Sequence, residues 1–414
     1  MKPFFLFINL LLVLIPVHYI AQTATSVNNG NWTSPSTWDC NCMPVNGYTV
    51  TINHHVTLDT SITFTGASEI LINSNGSLIQ DATLNRDISM WGDFTNNGVV
   101  NCRRYQDSMG NFSINTGLFQ VESFVLYGYT IFLNNGTFFS DSLLNQSIGN
   151  FEGNGTVTSN VIINRGVFDT RGQINTNQII NHGSFTHYEG IKCNSLTNFG
   201  NFYCTYPTGP NYHNDSLLIS GDLINHGGFI TEIYTRVSNN FVNVASTVPN
   251  TTMFMLQTSH VNAMEVKNWR NEDYFYGNPS NHVNVSDSSI NTGRIYGEFG
   301  FMFCDFTPPP SFPFIDINTG TIEPSVQWCN TVGLEENKKL GELIIFPNPS
   351  NGDFVIKAVK NTSIIISDEL GRIASIIELN EGNFFTANVL NLEAGIYFLN
   401  SSLKHTPQKI VIAK

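Results

Sequence analysis

One short motif recurs along this chain and constrains its fold more than any other feature. It consists of Asn, a variable residue, Gly, one further residue and then an apolar residue. It reads "SINTGLF" (113–119), "FLNNGTF" (132–138), "IINRGVF" (162–168), "IINHGSF" (179–185), "LTNFGNF" (196–202) and "LINHGGF" (223–229). Gly98, Gly117, Gly136 and Gly155 lie nineteen residues apart, and Gly166, Gly183 and Gly200 seventeen apart. Asn stands two places before most of these glycines, at Asn96, Asn115, Asn134, Asn164, Asn181, Asn198, Asn225 and Asn291. The variable slot holds Thr116, Asn135, Arg165, His182, Phe199 and His226. A slot that accepts Thr, Arg and Phe is not a fixed catalytic position, so His182 is read as an exposed turn residue.

The motif has a physical interpretation. A short strand ends at Asn, Gly supplies a turn with positive φ, and the next strand starts with an inward apolar side chain. One such unit cannot bury its apolar face alone, so successive units must stack. Stacking sets equivalent residues in columns at the usual inter-strand distance, with asparagines able to bond from coil to coil. The expected fold is all-β, a right-handed parallel β-helix, with Phe119, Phe138, Phe168, Phe185 and Phe202 inward. The repeat is too short for a four-stranded propeller blade, and 3.6-residue periodicity is nearly absent, which argues against a helical solenoid.

Only 12% of the 414 residues are charged, against 41% hydrophobic, so amides and hydroxyls must supply the polar surface. The net charge of −13 and the absence of any basic run argue against nucleic acid and anionic lipid as main partners. Lys2 followed by the apolar run Phe4 to Val17, with Ala21 and Ala24 beyond, reads as a secretory signal peptide over 1–22. The run is short for a bilayer span. Residues 23–69 read as an N-terminal β cap with Trp32 and Trp38 over the exposed end, and 70–303 as the β-helix, less regular after 236. Residues 304–340 read as a Pro-rich terminating segment and linker, and 341–414 change to short alternating strands with the look of a small sandwich.

Export permits disulfides. Of seven cysteines, Cys304 and Cys329 flank the Pro-rich loop and are expected to bridge. Cys40 and Cys42 are too close to suggest an ordinary mutual bridge, and the pairing of Cys40, Cys42, Cys102, Cys193 and Cys204 stays open. His54 and His55 are adjacent, so in a strand they face opposite ways and cannot share a metal. No metal or cofactor is expected, and no Ser–His–Asp set, phosphate loop or dinucleotide fingerprint is present. Counting five residues past each glycine gives Arg103, Glu122, Asp141 and Asn160 as one outward column, with Arg104 turned the other way. This column reads as a charge ladder in which Arg103 offsets Glu122; the alternative is a catalytic or calcium-binding pair at Glu122 and Asp141.

The last segment carries "PNPSNG" (347–352), "DELGR" (368–372), "LEAGIYFL" (392–399) and "KIVIAK" (409–414) in this order. It resembles the C-terminal sorting domain of the type IX secretion system of Bacteroidota. The features that carry the resemblance are Pro347, Asn348, Pro349, Gly352, Gly371, Gly395, Tyr397, Lys409 and Lys414, the three glycines being read as turn glycines. The resemblance implies an immunoglobulin-like sandwich recognised by the outer-membrane export machinery. It also implies cleavage on export, and a passenger that is released or attached to surface lipopolysaccharide. The "CD-x-TPP … C" ending (304–329) is similar to that of β-helical passengers of this system. "DSM" (107–109), "DSL" (141–143) and "DSL" (215–217) resemble the short O-glycosylation signal of this bacterial group, with Ser108, Ser142 and Ser216 as acceptors. The passenger is expected to be a non-enzymatic surface, adhesion or glycan-binding protein with an extracellular glycan or protein partner. The alternative is a carbohydrate-active enzyme, a polysaccharide lyase or glycoside hydrolase, built on the β-helix.

Overall fold

The computed structural model describes residues 22–66, 68–108, 110–146, 148–205, 215–245, 253–257, 262–279, 281–298, 300–306, 315–329, 343–346, 350, 353–358, 361–380, 386–389, 392–401 and 404–413. The chain divides into two compact units, Met1–Cys329 and Asn330–Lys414. The signal peptide is expected over 1–22, of which 1–21 lie outside the described residues.

The first unit is a parallel β-solenoid. Fifteen short strands, from Gln22–Thr25 to Thr321–Ile322, form one parallel sheet. The rest of each coil forms a second parallel sheet, whose longest strands are bent. Val99–Asp107, Leu118–Leu126, Thr137–Asn145 and Thr156–Asn164 pair in register, nineteen residues per coil. Alternation of buried and outward residues breaks at the bend of each of these strands. Arg103 and Arg104, Asp141 and Ser142, and Asn160 and Val161 are consecutive outward pairs. The phase shift lets both arms of a bent strand keep their apolar residues inside. It also corrects the expectation for Arg104, which points outward beside Arg103.

The repeat proves to be two columns rather than one. In the first, Asn96, Asn115 and Asn134 end strands of the fifteen-stranded sheet and join side chain to side chain at 2.8 and 2.7 Å. In the second, the asparagines end the bent strands at a different corner. Asn145, Asn164, Asn181, Asn198, Asn225, Asn243, Asn271, Asn291 and Asn318 form a ladder whose Nδ2–Oδ1 contacts are 2.8–2.9 Å. Asn181 also donates to the carbonyls of Gly183 and Asn201, so its buried amide is well partnered. Phe119 and Phe138 thus belong to the bent sheet, and Phe168, Phe185 and Phe202 to the other. All five are fully buried.

The glycines also serve a different purpose from the one expected. Gly117 and Gly183 do not have positive φ. A Cβ on either would lie 2.1 Å from the carbonyl oxygen of the glycine one coil earlier, Gly98 or Gly166. The turns stack too closely for any side chain at that position.

Coiling begins earlier and ends later than the sequence implied. Gln22–Thr25 and Tyr48–Ile52 already pair in parallel, and Met302–Asp305 pairs with Gln327–Trp328. The described residues between 236 and 300 are regular coils, with register shifts in the bent strands Tyr234–Asn243 and Asn262–Asn271. Trp32 and Trp38 are buried and meet edge to face at 5.1 Å. Cys304 and Cys329 are bridged with Cα atoms 5.1 Å apart, joining the last two coils. Cys40 and Cys42 are also bridged, against expectation, at 5.2 Å. Asn41 between them has φ 55, which turns the backbone and brings the two side chains together. Cys102, Cys193 and Cys204 are buried and free.

One ladder position is polar in the core. Ser113 occupies the column that holds Phe94 before it and Phe132 after it. The Tyr105 hydroxyl and Ser113 both donate to Asp107 Oδ2, at 3.2 and 2.5 Å, while Asp107 Oδ1 has no hydrogen-bond partner among the described residues. Burial pushes the Asp107 carboxyl up to about 7. An unfolded Asp titrates near 3.9, so the folded state holds the proton more tightly, and stability is lost as pH rises from about 4 through 7. The full loss is of order 4 kcal/mol. Asp107→Asn is therefore expected to gain stability relative to the parent between about pH 5 and pH 8 in thermal melts. A difference independent of pH would contradict this assignment.

The second unit has two antiparallel sheets. Leu343–Phe346, Phe354–Ala358 and Thr386–Val389 form one; Ile373–Leu379, Thr362–Asp368, Gly395–Ser401 and Lys404–Ile412 form the other. Phe354, Ile356 and Val389 from the first meet Ile364, Ile366, Leu399 and Ile410 from the second in a common core.

Candidate functional site

The bends of successive strands stack, and a groove runs along their outer side parallel to the solenoid axis. It has three joined segments of about 700, 590 and 770 Å³. The first two share Asn175, Thr176 and Asn177, and the last two share Arg236 and Ser238. Its floor is a column of outward amides and hydroxyls, with Asn160, Asn177, Asn194, Ser220 and Ser238 among its members. Phe139 lines one end and Phe306 the other, each 40% exposed. The groove arises from the bend, which the sequence analysis did not identify. Its signal was available in the paired polar residues that interrupt alternation, such as Asp141-Ser142 and Asn194-Ser195.

Arg103, Glu122 and Asp141 occupy equivalent places at the bends of successive coils, between the paired residues Cys102↔Val121↔Ser140 and Arg104↔Ser123↔Ser142. Asp141 lines the head of the groove. Arg103 does not depend on Glu122 for its counter-charge. It makes a two-pronged contact with Asp87 one coil earlier, Nε to Oδ1 at 2.8 Å and Nη2 to Oδ2 at 2.5 Å.

A second pair of acids escaped the sequence reading. Glu189 and Asp215 stand two places before the paired residues Ile191 and Leu217, on adjacent coils at a corner away from the groove floor. Burial raises the carboxyl pKa of both, and Asp215 raises that of Glu189 further. Their long spacing in sequence, across 206–214, concealed the pairing.

His182, Phe199 and His226 stack face to face, each ring 4.7 Å from the next. Both faces of Phe199 are covered by the two imidazoles, so the column packs on itself and serves the turn rather than a ligand. His54 precedes its strand and contacts the Ser26 carbonyl through Nδ1 at 2.8 Å. Among the described residues no group of three or more His, Cys, Asp or Glu side chains is placed to hold a metal ion. Ser142 and Ser216 are half-buried in strands, and Ser108 is 7% exposed, which withholds its hydroxyl from a glycosylating enzyme in the folded chain.

In the second unit, Gly371 has φ +77 and closes the turn between Thr362–Asp368 and Ile373–Leu379. Asp368 Oδ1 accepts the backbone N–H groups of Leu370 and Arg372, and its Oδ2 accepts Arg372 Nε at 2.6 Å. Gly395 is not a turn glycine. It opens the strand Gly395–Ser401 without positive φ. Tyr397 packs on the apolar core and donates its hydroxyl to the Glu393 carbonyl at 3.2 Å. Lys409 is exposed in the final strand, whereas Pro347, Asn348, Pro349, Gly352 and Lys414 lie outside the described residues. A family model described as "Secretion system C-terminal sorting domain" matches residues 344–413. The chain carries a type IX secretion sorting tail. That tail marks the protein for export to the cell surface or medium, with the secretion machinery as its partner. Comparisons with curated proteins and with solved structures returned no match.

Proposed function

We propose that the exported solenoid is a non-enzymatic surface or released protein that binds an extended glycan along the axial groove. The column of outward amides and hydroxyls from Asn160 to Ser238 supports this reading. Sugar hydroxyls need many modest donors and acceptors over a long, shallow path, and an exposed ring such as Phe139 offers its face to apolar sugar C–H groups. Attachment of the exported passenger to surface lipopolysaccharide, and cleavage of the tail, belong to the same proposal.

The test is a panel of immobilised polysaccharides assayed for both retention and degradation products. Retention should strengthen with chain length and fall at least about tenfold in Ser238→Trp, which fills the groove at an exposed position where two segments meet. Retention unaffected by that substitution would contradict the assignment. The enzymatic alternative draws on Asp141 at the groove's head and on Glu122 one coil before it. It predicts glycan cleavage that Glu122→Gln or Asp141→Asn abolishes.

A further inference from the structure

Charge occurs in every segment of the groove, but only the middle one is lined by cations alone: Asp141 stands at the head, and Glu265, Lys267 and Asp287 join Arg236 in the last segment. Lys192, Leu218 and Arg236 occupy one outward column on three successive coils, paired Lys192↔Leu218 and Leu218↔Arg236. All three line the middle segment. With 19 Lys and Arg against 32 Asp and Glu, cations are scarce in this chain, and several are neutralised where they stand. Arg103 is held by Asp87, Arg270 by Glu272 and Arg294 by Glu323. Of the two in the groove centre, Lys192 is open and Arg236 is paired only loosely, with Glu265 on the next coil. Arg236 has a side chain 60% exposed and reaches Glu265 only at 4.0 Å. Lys192 is exposed and has no carboxylate within ion-pairing distance among the described residues.

We infer that the middle of the groove is a subsite for an anionic polysaccharide, with carboxylates or sulfate esters spaced about one disaccharide apart. The inference rests on the groove being a glycan site and names the class of glycan it takes. Coils rise by about 4.8 Å, so Lys192 and Arg236 stand roughly 10 Å apart along the axis, close to the span of two sugar rings in an extended chain. Half-buried Leu218 lies between them, where a ring's apolar face would rest. The amides of Asn175, Asn177 and Asn194 surround this segment and suit the remaining hydroxyls. The chain's overall negative charge opposes anionic polymers elsewhere, so binding is confined to this register.

The experiment uses the full chain and affinity electrophoresis in four polymers. Hyaluronan carries uronate on alternate sugars, polygalacturonate on every sugar, chondroitin sulfate adds sulfate esters, and galactomannan is neutral. The inference expects an anionic polymer to retain the protein more strongly than galactomannan. Retention should weaken at about 1 M salt, where the screening length falls to about 3 Å. The double variant Lys192→Gln/Arg236→Gln should lose about tenfold in affinity for that polymer. Arg294→Gln, which removes a cation on another face, should stay within about twofold. Unchanged melting temperatures would show that the exposed substitutions leave the fold intact. Hyaluronan against chondroitin sulfate separates a carboxylate ligand from a sulfated one. Galactomannan retention without anionic preference, or anionic retention indifferent to the double variant, would overturn the inference and leave the groove reading standing. Failure to bind any of the four would overturn both.

Discussion

Phe185→Ala is expected to destabilise the solenoid by about 3–5 kcal/mol. Phe185 is the third of seven stacked rings, Phe151, Phe168, Phe185, Phe202, Phe229, Phe254 and Phe275, with centroids 4.5–5.3 Å apart. The substitution removes the transfer free energy of one buried ring, leaves a cavity and severs two stacked contacts at once. Neighbouring coils cannot close the gap, because the Asn181–Asn198 contact of 2.8 Å and the close stacking of Gly183 on Gly166 hold them in place. Stability in a solenoid is a sum of local terms and nearest-neighbour interfaces, so the damage should be regional. Hydrogen exchange should accelerate most in Val167–Thr170, Ser184–His187 and Asn201–Cys204. Phe199→Ala is the control. That ring is 46% exposed, and its loss should cost much less. Equal costs for the two would mean that the columns are wrongly assigned.

Much of this architecture was legible in the sequence, because period and chemistry coincide. Asn, Gly and Phe recur at a fixed spacing, and each is needed for a separate reason: a side-chain ladder, a close turn and a core column. The division into two columns was harder to see, since the same motif serves two corners of the coil. Its trace is the spacing of only eleven residues between Gly155 and Gly166, which breaks the period of seventeen to nineteen. Asn145, Asn243 and Asn271 were missed because their turns do not place Gly two residues on, although their amides join the ladder all the same. The Cys40–Cys42 bridge depends on the left-handed backbone of Asn41, a local conformation that residue spacing does not specify. The groove was concealed for a related reason. Bend residues such as Asn160, Asn177 and Asn194 are unremarkable polar residues in one dimension, and converge only when bent strands stack. The sorting tail was legible through its motifs, whereas Gly395 was read as a turn because glycine alone does not distinguish a turn from the start of a strand.

The second large effect concerns export. The apolar cores of the two units share no residue, one being built from Ala24 to Val326 and the other from Phe354 to Ile412. Deleting 341–414 removes the whole second core and none of the first, so the solenoid should still fold. Its destination should nevertheless change completely. The signal peptide expected over 1–22 would deliver the chain only to the periplasm, and the matched tail is the part addressed to the outer-membrane machinery. The decisive measurement is fractionation of cells with a working type IX system, expressing either the full chain or the form lacking 341–414. The full chain should appear at the surface or in the medium, and the truncated form should accumulate as folded protein in the periplasm. Truncated protein reaching the surface at the yield of the full chain would contradict the account.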